Sequence, residues 1–97
     1  MPMVTIRYWA AAKQAAGMAE EKVSAATLSE ALATVVAGRE SPSPAGPPPG
    51  EGARALQAVL ARCSFLVDGE PVGRRAPEAV PLREAAVVEV LPPFAGG

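Results

Sequence analysis

Val87-Val88-Glu89-Val90-Leu91-Pro92-Pro93-Phe94-Ala95-Gly96-Gly97 closes the chain and decides how it is read. Residues 87 to 91 are apolar except for Glu89. A strand so apolar is expected to be buried on both faces, and so to lie at the centre of a sheet. The diproline after it fixes φ and favours an extended, polyproline-like path. The residues from Pro92 to Gly97, at about 3.3 Å each, reach roughly 20 Å, enough to cross a partner's surface to a buried site. Phe94 is the one large side chain on this tail, a candidate anchor in a groove. Gly96 and Gly97 have no Cβ, so they fit a narrow slot and adopt dihedrals closed to other residues. An ordinary frayed terminus is the competing reading. Glycine is about 7% and proline about 5% of protein residues, so chance rarely places a diproline and a double glycine in one short tail.

The Gly97 carboxylate is unhindered but inert in neutral water, being ionised with a reference pKa of about 3.3–3.7. Activation must come from a partner. Bringing ATP to it makes an acyl-adenylate, from which a sulfur or nitrogen nucleophile displaces AMP.

Working outward from the tail, Met3 to Trp9 alternates, with Val4, Ile6 and Tyr8 on one side and Thr5, Arg7 and Trp9 on the other, which predicts a strand. Ala10 to Ala16 is alanine-rich and stops at Gly17, a short helix or turn. Glu21 to Ser24 supplies a second strand that pairs with the first. Thr27-Leu28-Ser29-Glu30 is a capping box: the Thr27 hydroxyl accepts from the Glu30 amide, and the Glu30 carboxylate reaches back to the Thr27 amide. Leu28, Leu32, Val35 and Val36 follow at helical spacing and predict the main amphipathic helix, running to about Ala37 and closed by Gly38. Arg39 to Gly52 holds Pro42, Pro44, Pro47, Pro48 and Pro49 among glycines, and reads as a surface loop. A PxxP ligand is the weaker alternative there, because such short matches are common. Ala53 to Arg62 resumes the helical pattern, with Leu56, Val59, Leu60 and Cys63 on one face. Phe65 to Val67 is a short strand, Asp68-Gly69 a turn, and Pro71-Val72 continues beyond it.

A chain of 97 residues makes one small domain. The hydrophobic fraction is 49%, but much of it is alanine and aromatics are only 4%, so the core is thin. A net charge of −1 argues against a nucleic-acid binder held by phosphate contacts. There is no histidine. Cys63 is the single cysteine, which excludes an internal disulfide and a multi-cysteine zinc site. It is expected in the core as a small hydrophobe, since a nucleophilic role has no histidine to support it. No apolar run approaches membrane-spanning length, and no cationic-then-apolar segment marks a signal peptide. The expectation is a soluble, cytoplasmic protein with no membrane or nucleic-acid partner, no metal and no cofactor of its own.

The order strand, strand, helix, loop, short helix, strand, weak strand, strand predicts an α+β fold of β-grasp type. Residues 1–91 form a mixed sheet with a crossing helix, residues 39–52 its Pro/Gly-rich loop, and residues 92–97 a flexible C-terminal tail. The first and last strands are expected to lie parallel at the centre, giving the tail a fixed point of departure.

Three pieces of the chain make it resemble the MoaD/ThiS family of ubiquitin-like sulfur carriers, and above all its MoaD branch, the small subunits of molybdopterin synthase. They are Val4 to Ala10 with the helical segment to Gly17, the Thr27-Leu28-Ser29-Glu30-Ala31-Leu32 helix start, and Val88 to Gly97. The resemblance covers nearly the whole chain outside the loop around Pro42 to Gly52. The diproline is the MoaD-like element, because thiamine-pathway carriers typically end in a double glycine without it. The family often has Asp-Gly-Asp before the last strand, where this chain has Glu84-Ala85-Ala86. The proline-rich insertion is a second departure.

The resemblance implies a definite chemistry. An E1-like, MoeB-like adenylyltransferase uses ATP to adenylate Gly97, and a sulfur donor converts it to a thiocarboxylate. The tail then enters a MoaE-like large subunit and passes sulfur to a pyranopterin precursor of the molybdenum cofactor. Gly97 carries the sulfur, Gly96 lets the tail thread, and Pro92 and Pro93 project it. Trp9 and Leu91, at the ends of neighbouring strands, match apolar interface positions of the family, with Pro71 a weaker member. Trp9 as a simple cap on the core is the alternative. The chain is non-catalytic alone, in keeping with its lack of an acid–base constellation. Other readings of the tail are a sulfur carrier for thiamine, cysteine or tRNA thiolation, a ubiquitin-like modifier joined to lysines, or an inert interaction domain.

Overall fold

A computed structural model describes residues 1–38 and 51–93. The tail residues Phe94, Gly96 and Gly97 and the proline-rich stretch 39–50 lie outside the described residues. The elements run β1 (Met3–Tyr8), α1 (Ala10–Ala16), β2 (Glu20–Ser24), α2 (Leu28–Ala37), α3 (Glu51–Leu60), β3 (Ser64–Val67), β4 (Glu70–Pro71), a 3-10 turn (Pro77–Ala79) and β5 (Val87–Leu91). The five-stranded sheet has the order β2-β1-β5-β3-β4. β1 pairs with β5 in parallel, and the other pairings are antiparallel. This is the expected β-grasp, with the last strand at the centre.

Alternation sends Val4, Ile6 and Tyr8 of β1 and Val88 and Val90 of β5 into the core, where all are buried. α2 meets them with Leu28, Ala31 and Val35, and α3 with Leu56 and Leu60. α1 contributes Ala12 and Ala16, whose small side chains let it pack against α3. Gly17 ends α1 in the left-handed region at φ 79°, its N–H donating to the Lys13 carbonyl at 2.9 Å.

Half of the expected capping box is present. The Glu30 N–H donates to the Thr27 hydroxyl at 3.2 Å. The reciprocal bond from the Glu30 carboxylate is absent among the described residues. The Asp68-Gly69 turn has φ 51° and 85°, the pair of positive values that a two-residue type I′ hairpin requires, and it joins β3 to β4.

Four expectations need correction. β5 is central but not buried on both faces: Val88 and Val90 are buried, whereas Val87, Glu89 and Leu91 are half-buried. Its apolarity reflects strand neighbours on both sides, with helices packed on one face of the sheet only. β1 stops at Tyr8, and Trp9 serves as the N-cap position of α1. α3 starts at Glu51, so Glu51 and Gly52 are helical instead of loop. The first helical turn has no intrahelical acceptor for its N–H groups, and a glycine disturbs it least. Cys63 is half-buried against the core's margin, its thiol donating to the Val59 carbonyl at 3.1 Å.

The turn before β5 has an unusual backbone. The Ala86 N–H donates to the Arg83 carbonyl at 3.1 Å, and Ala85 has φ 67°. The turn is stitched to the start of β1, since the Ala85 N–H donates to the Met3 carbonyl at 2.9 Å and the Met3 N–H to a Glu84 carboxylate oxygen at 3.1 Å. A left-handed conformation costs an L-residue roughly 1–2 kcal/mol, and these hydrogen bonds hold Ala85 in it. Replacing Ala85→Gly removes that penalty while loosening the unfolded chain. We expect a net stabilisation of about 0.5–1 kcal/mol, read as a higher denaturation midpoint at unchanged slope. An unchanged or lower midpoint would contradict the strain.

Candidate functional site

The site is built by the register of four strands. β1 and β5 pair Thr5 with Val87, Ile6 with Val88, Arg7 with Glu89 and Tyr8 with Val90. Beyond that ladder the Trp9 N–H donates to the Val90 carbonyl at 3.2 Å, so Trp9 sits beside the exit of β5. On the other side β3 pairs Ser64 with Leu91 and Leu66 with Glu89, and β4 pairs Pro71 with Leu66.

Because side chains alternate, these registers place Thr5, Arg7, Val87, Glu89, Leu91, Leu66 and Pro71 on the sheet face opposite the helices. Trp9, Leu91 and Pro71 therefore share one open face, with Pro92 and Pro93 continuing from its centre. Trp9 is 44% exposed, so it does not close the core. Pro92 is half-buried, while Pro71 and Pro93 are exposed.

Leu66 and Arg7 are among the members of this face that were not singled out from the sequence. Leu66 is half-buried and fills the face between Leu91 and Pro71. Its signal was its position between Phe65 and Val67 in a strand, which sets it on the opposite side from both. Arg7 lies with its guanidinium carbon 5.4 Å from the centroid of the Trp9 ring, and its Nε is 3.7 Å from a Glu20 carboxylate oxygen. The cation over the indole and the carboxylate behind it restrict where the ring can turn. Ala10, at φ 49°, turns the chain sharply from strand into helix just after the ring.

The face carries no reacting constellation. Among the described residues no group of His, Cys, Asp or Glu is arranged to hold a metal ion. No helix among them is long and apolar enough to cross a membrane. A hollow of about 630 Å³ lies elsewhere, between α2 and α3 against Phe65 and Pro77, and its lining has no charged side chain.

Cys63 lines that hollow, and burial pushes its thiol above the ordinary value. At a pH of about 8, below the ordinary thiol pKa of about 8.5, less thiolate forms than in a free thiol. Iodoacetamide is therefore expected to alkylate Cys63 more slowly in the folded chain than in the urea-unfolded chain. Equal rates would show that burial does not restrain the thiol.

Residues 6–97 match the ThiS family profile. No curated protein matches the chain. Several solved structures share its fold. The small archaeal modifier protein 1 of Methanosarcina acetivorans has a TM-score of 0.75 at 18% identity, with 100% of this chain and 98% of that one covered. A chain of the complex of subunits 1 and 2 of molybdopterin-converting factor from Helicobacter pylori has a TM-score of 0.61 at 21% identity, covering 98% of this chain and 99% of that one. The small archaeal modifier protein 1 of Haloferax volcanii has a TM-score of 0.70 at 18% identity, covering 98% and 99%.

Proposed function

We propose that this chain, which belongs to the ThiS family of ubiquitin-like sulfur carriers, is the sulfur-donating small subunit of a molybdopterin synthase. The observation that carries the reading is the direct passage from the central strand β5 into Pro92-Pro93, beside the exposed Trp9 and the half-buried Leu91. A strand held by neighbours on both sides fixes where the tail starts. The diproline keeps the tail extended from there, and the double glycine fits a narrow site at its end.

In this reading the Gly97 carboxylate attacks the α-phosphorus of ATP on an E1-like adenylyltransferase, and pyrophosphate leaves. Hydrosulfide supplied by a donor attacks the acyl carbon, AMP leaves as the acyl–phosphate bond breaks, the sulfur loses its proton, and a thiocarboxylate remains. A MoaE-like large subunit receives the tail, with Phe94 as an anchor and Gly96 in the narrow part of the channel. The sulfur passes there to a pyranopterin precursor, and the large subunit supplies the acid–base groups. ATP belongs to the activating partner, and the dependence on it fits a cytoplasmic protein. The open face of Trp9, Leu66, Leu91 and Pro71 is the docking surface for the large subunit, in line with the paired subunits of the Helicobacter pylori complex.

A second reading has an observation of its own. The modifier protein of Methanosarcina acetivorans shares the fold over the whole chain. A ubiquitin-like modifier would use the same adenylate and end in an amide to a lysine instead of a thiocarboxylate. Sulfur delivery to thiamine, cysteine or tRNA would share the thiocarboxylate and differ in the acceptor.

Intact mass spectrometry after incubation with ATP, a sulfur donor and the cognate adenylyltransferase separates these readings. The carrier gains the difference between sulfur and oxygen at Gly97, and the chain lacking Gly97 gains nothing there. Conjugates to other proteins without a thiocarboxylate would favour the modifier. Transfer of the sulfur to the pyranopterin precursor with the large subunit then distinguishes the molybdopterin role from the other carriers.

Trp9→Glu places a charge on the open face without emptying the core. It is expected to leave the far-ultraviolet circular dichroism unchanged and to weaken binding to the large subunit by about 2 kcal/mol or more, the scale of an aromatic hot spot. Unchanged affinity would remove Trp9 from the interface.

A further inference from the structure

The hollow between α2 and α3 borders the point where the tail departs. β3 pairs Ser64 with Leu91, the last residue of β5, so Cys63, the residue before Ser64, is next to the base of the tail. Cys63 is also part of the hollow's wall, with Leu32 and Val36 of α2, Leu60 of α3 and Phe65 of β3. Leu32, Val36, Cys63 and Phe65 pack against the core yet are only half-buried. Their outer surfaces stay in water, and an apolar group seated between the helices would cover them. The hollow, at about 630 Å³, has room for an aromatic ring, since an apolar cavity of about 150 Å³ is enough to bind benzene. The chain itself has one such group to offer. Residues 39–50 include alanine and prolines but no aromatic or branched aliphatic side chain, whereas Phe94 opens the stretch 94–97. Phe94 is the third residue after Leu91, so its Cα lies within about 10 Å of the strand's end, across the Ser64 pair from the hollow's wall.

We infer that the hollow between α2 and α3 is the resting site of the tail's own Phe94, whose ring lies there when no partner holds the tail. The tether makes a modest contact sufficient, because a short linker gives an effective concentration in the millimolar range. The wall suits a benzyl group, being apolar and free of charged side chains. It gives the Gly97 carboxylate no cation to pair with, so the contact is made by the ring alone. Under the carrier reading the ring exchanges this hollow for the large subunit's groove, and the partner shifts the tail from one to the other by competing for Phe94. The site itself does not depend on that reading.

Cys63, the single cysteine, reports on the hollow directly. Iodoacetamide is expected to alkylate the full-length Phe94→Ala chain about fivefold faster than the wild type, because the rate follows the fraction of chains whose hollow is open. Phe94→Leu, which keeps an apolar side chain, should fall between. In methyl NMR spectra the Val36 and Leu60 resonances should shift between the wild type and Phe94→Ala as the ring current is lost. Ala33→Leu, at an exposed position of α2 in the hollow's lining, should crowd the ring out and move the same resonances with Phe94 intact. Circular dichroism checks that each variant folds. Equal alkylation rates with unchanged methyl spectra in Phe94→Ala would overturn the inference. Protection of Cys63 that fades on dilution would also overturn it, by giving the hollow to Phe94 of a second copy. So would protection that survives Phe94→Ala and is lost when Pro47, Pro48 and Pro49 are replaced by serine, which would give the hollow to the proline-rich stretch. None of these readouts uses ATP, a sulfur donor or a partner, so their failure leaves the carrier reading standing. A chain that never acquires a thiocarboxylate would remove the carrier reading and leave this site.

Discussion

The parallel pairing of β1 with β5 is the constraint on which the rest of the structure depends. Parallel neighbours cannot be joined by a tight turn, so everything between them must serve as the crossover. α2 and α3 fill that role by covering one face of the sheet, and β3 and β4 complete the sheet on the far side of β5. The turn at Glu84 and Ala85 pins the entry of β5 to Met3 at one end of the ladder, and the Trp9–Val90 hydrogen bond pins its exit at the other. The strained φ of Ala85 is tolerated because both ends of the ladder are held.

The same pairing decides which side chains meet at the tail. Helices occupy only one side of the sheet, so every second residue of β1, β5 and β3 is left facing outward. On this chain those residues are a mixture: Val87, Leu66 and Leu91 are apolar, while Arg7 and Glu89 carry charge. Trp9 joins them at the edge, held by Arg7. The result is a half-buried, largely apolar band interrupted by Glu89 at its centre and edged by Arg7, built around the strand that becomes the tail. Under the carrier reading, a partner that grips this band has the tail's direction fixed before it reaches the glycines.

Much of this was legible beforehand because it depends on near neighbours in the chain. Alternation in Met3 to Tyr8, the Thr27 cap, the helical spacing of Leu28 and Val35, the Asp68-Gly69 turn and the apolar run of β5 are each short-range patterns with a direct backbone consequence. The errors have equally local causes. A helix can start inside a glycine-containing stretch, as α3 does at Glu51. An apolar strand can owe its composition to flanking strands, as β5 does, instead of to layers on both faces. Leu66 and Arg7 escaped notice because nothing along the sequence says which residue of another strand lies across from them.

By itself the sequence determined the element types and the central place of the last strand, and it supplies the double glycine on which the carrier proposal rests, since propensity, periodicity and the absence of a Cβ act within a few residues. Only the tertiary structure decided the register that brings Trp9 to Val90 and sets Leu66 beside Glu89. Registers between distant strands follow from how all the core side chains pack at once, and a one-residue slip would turn every side chain of β5 to the other face.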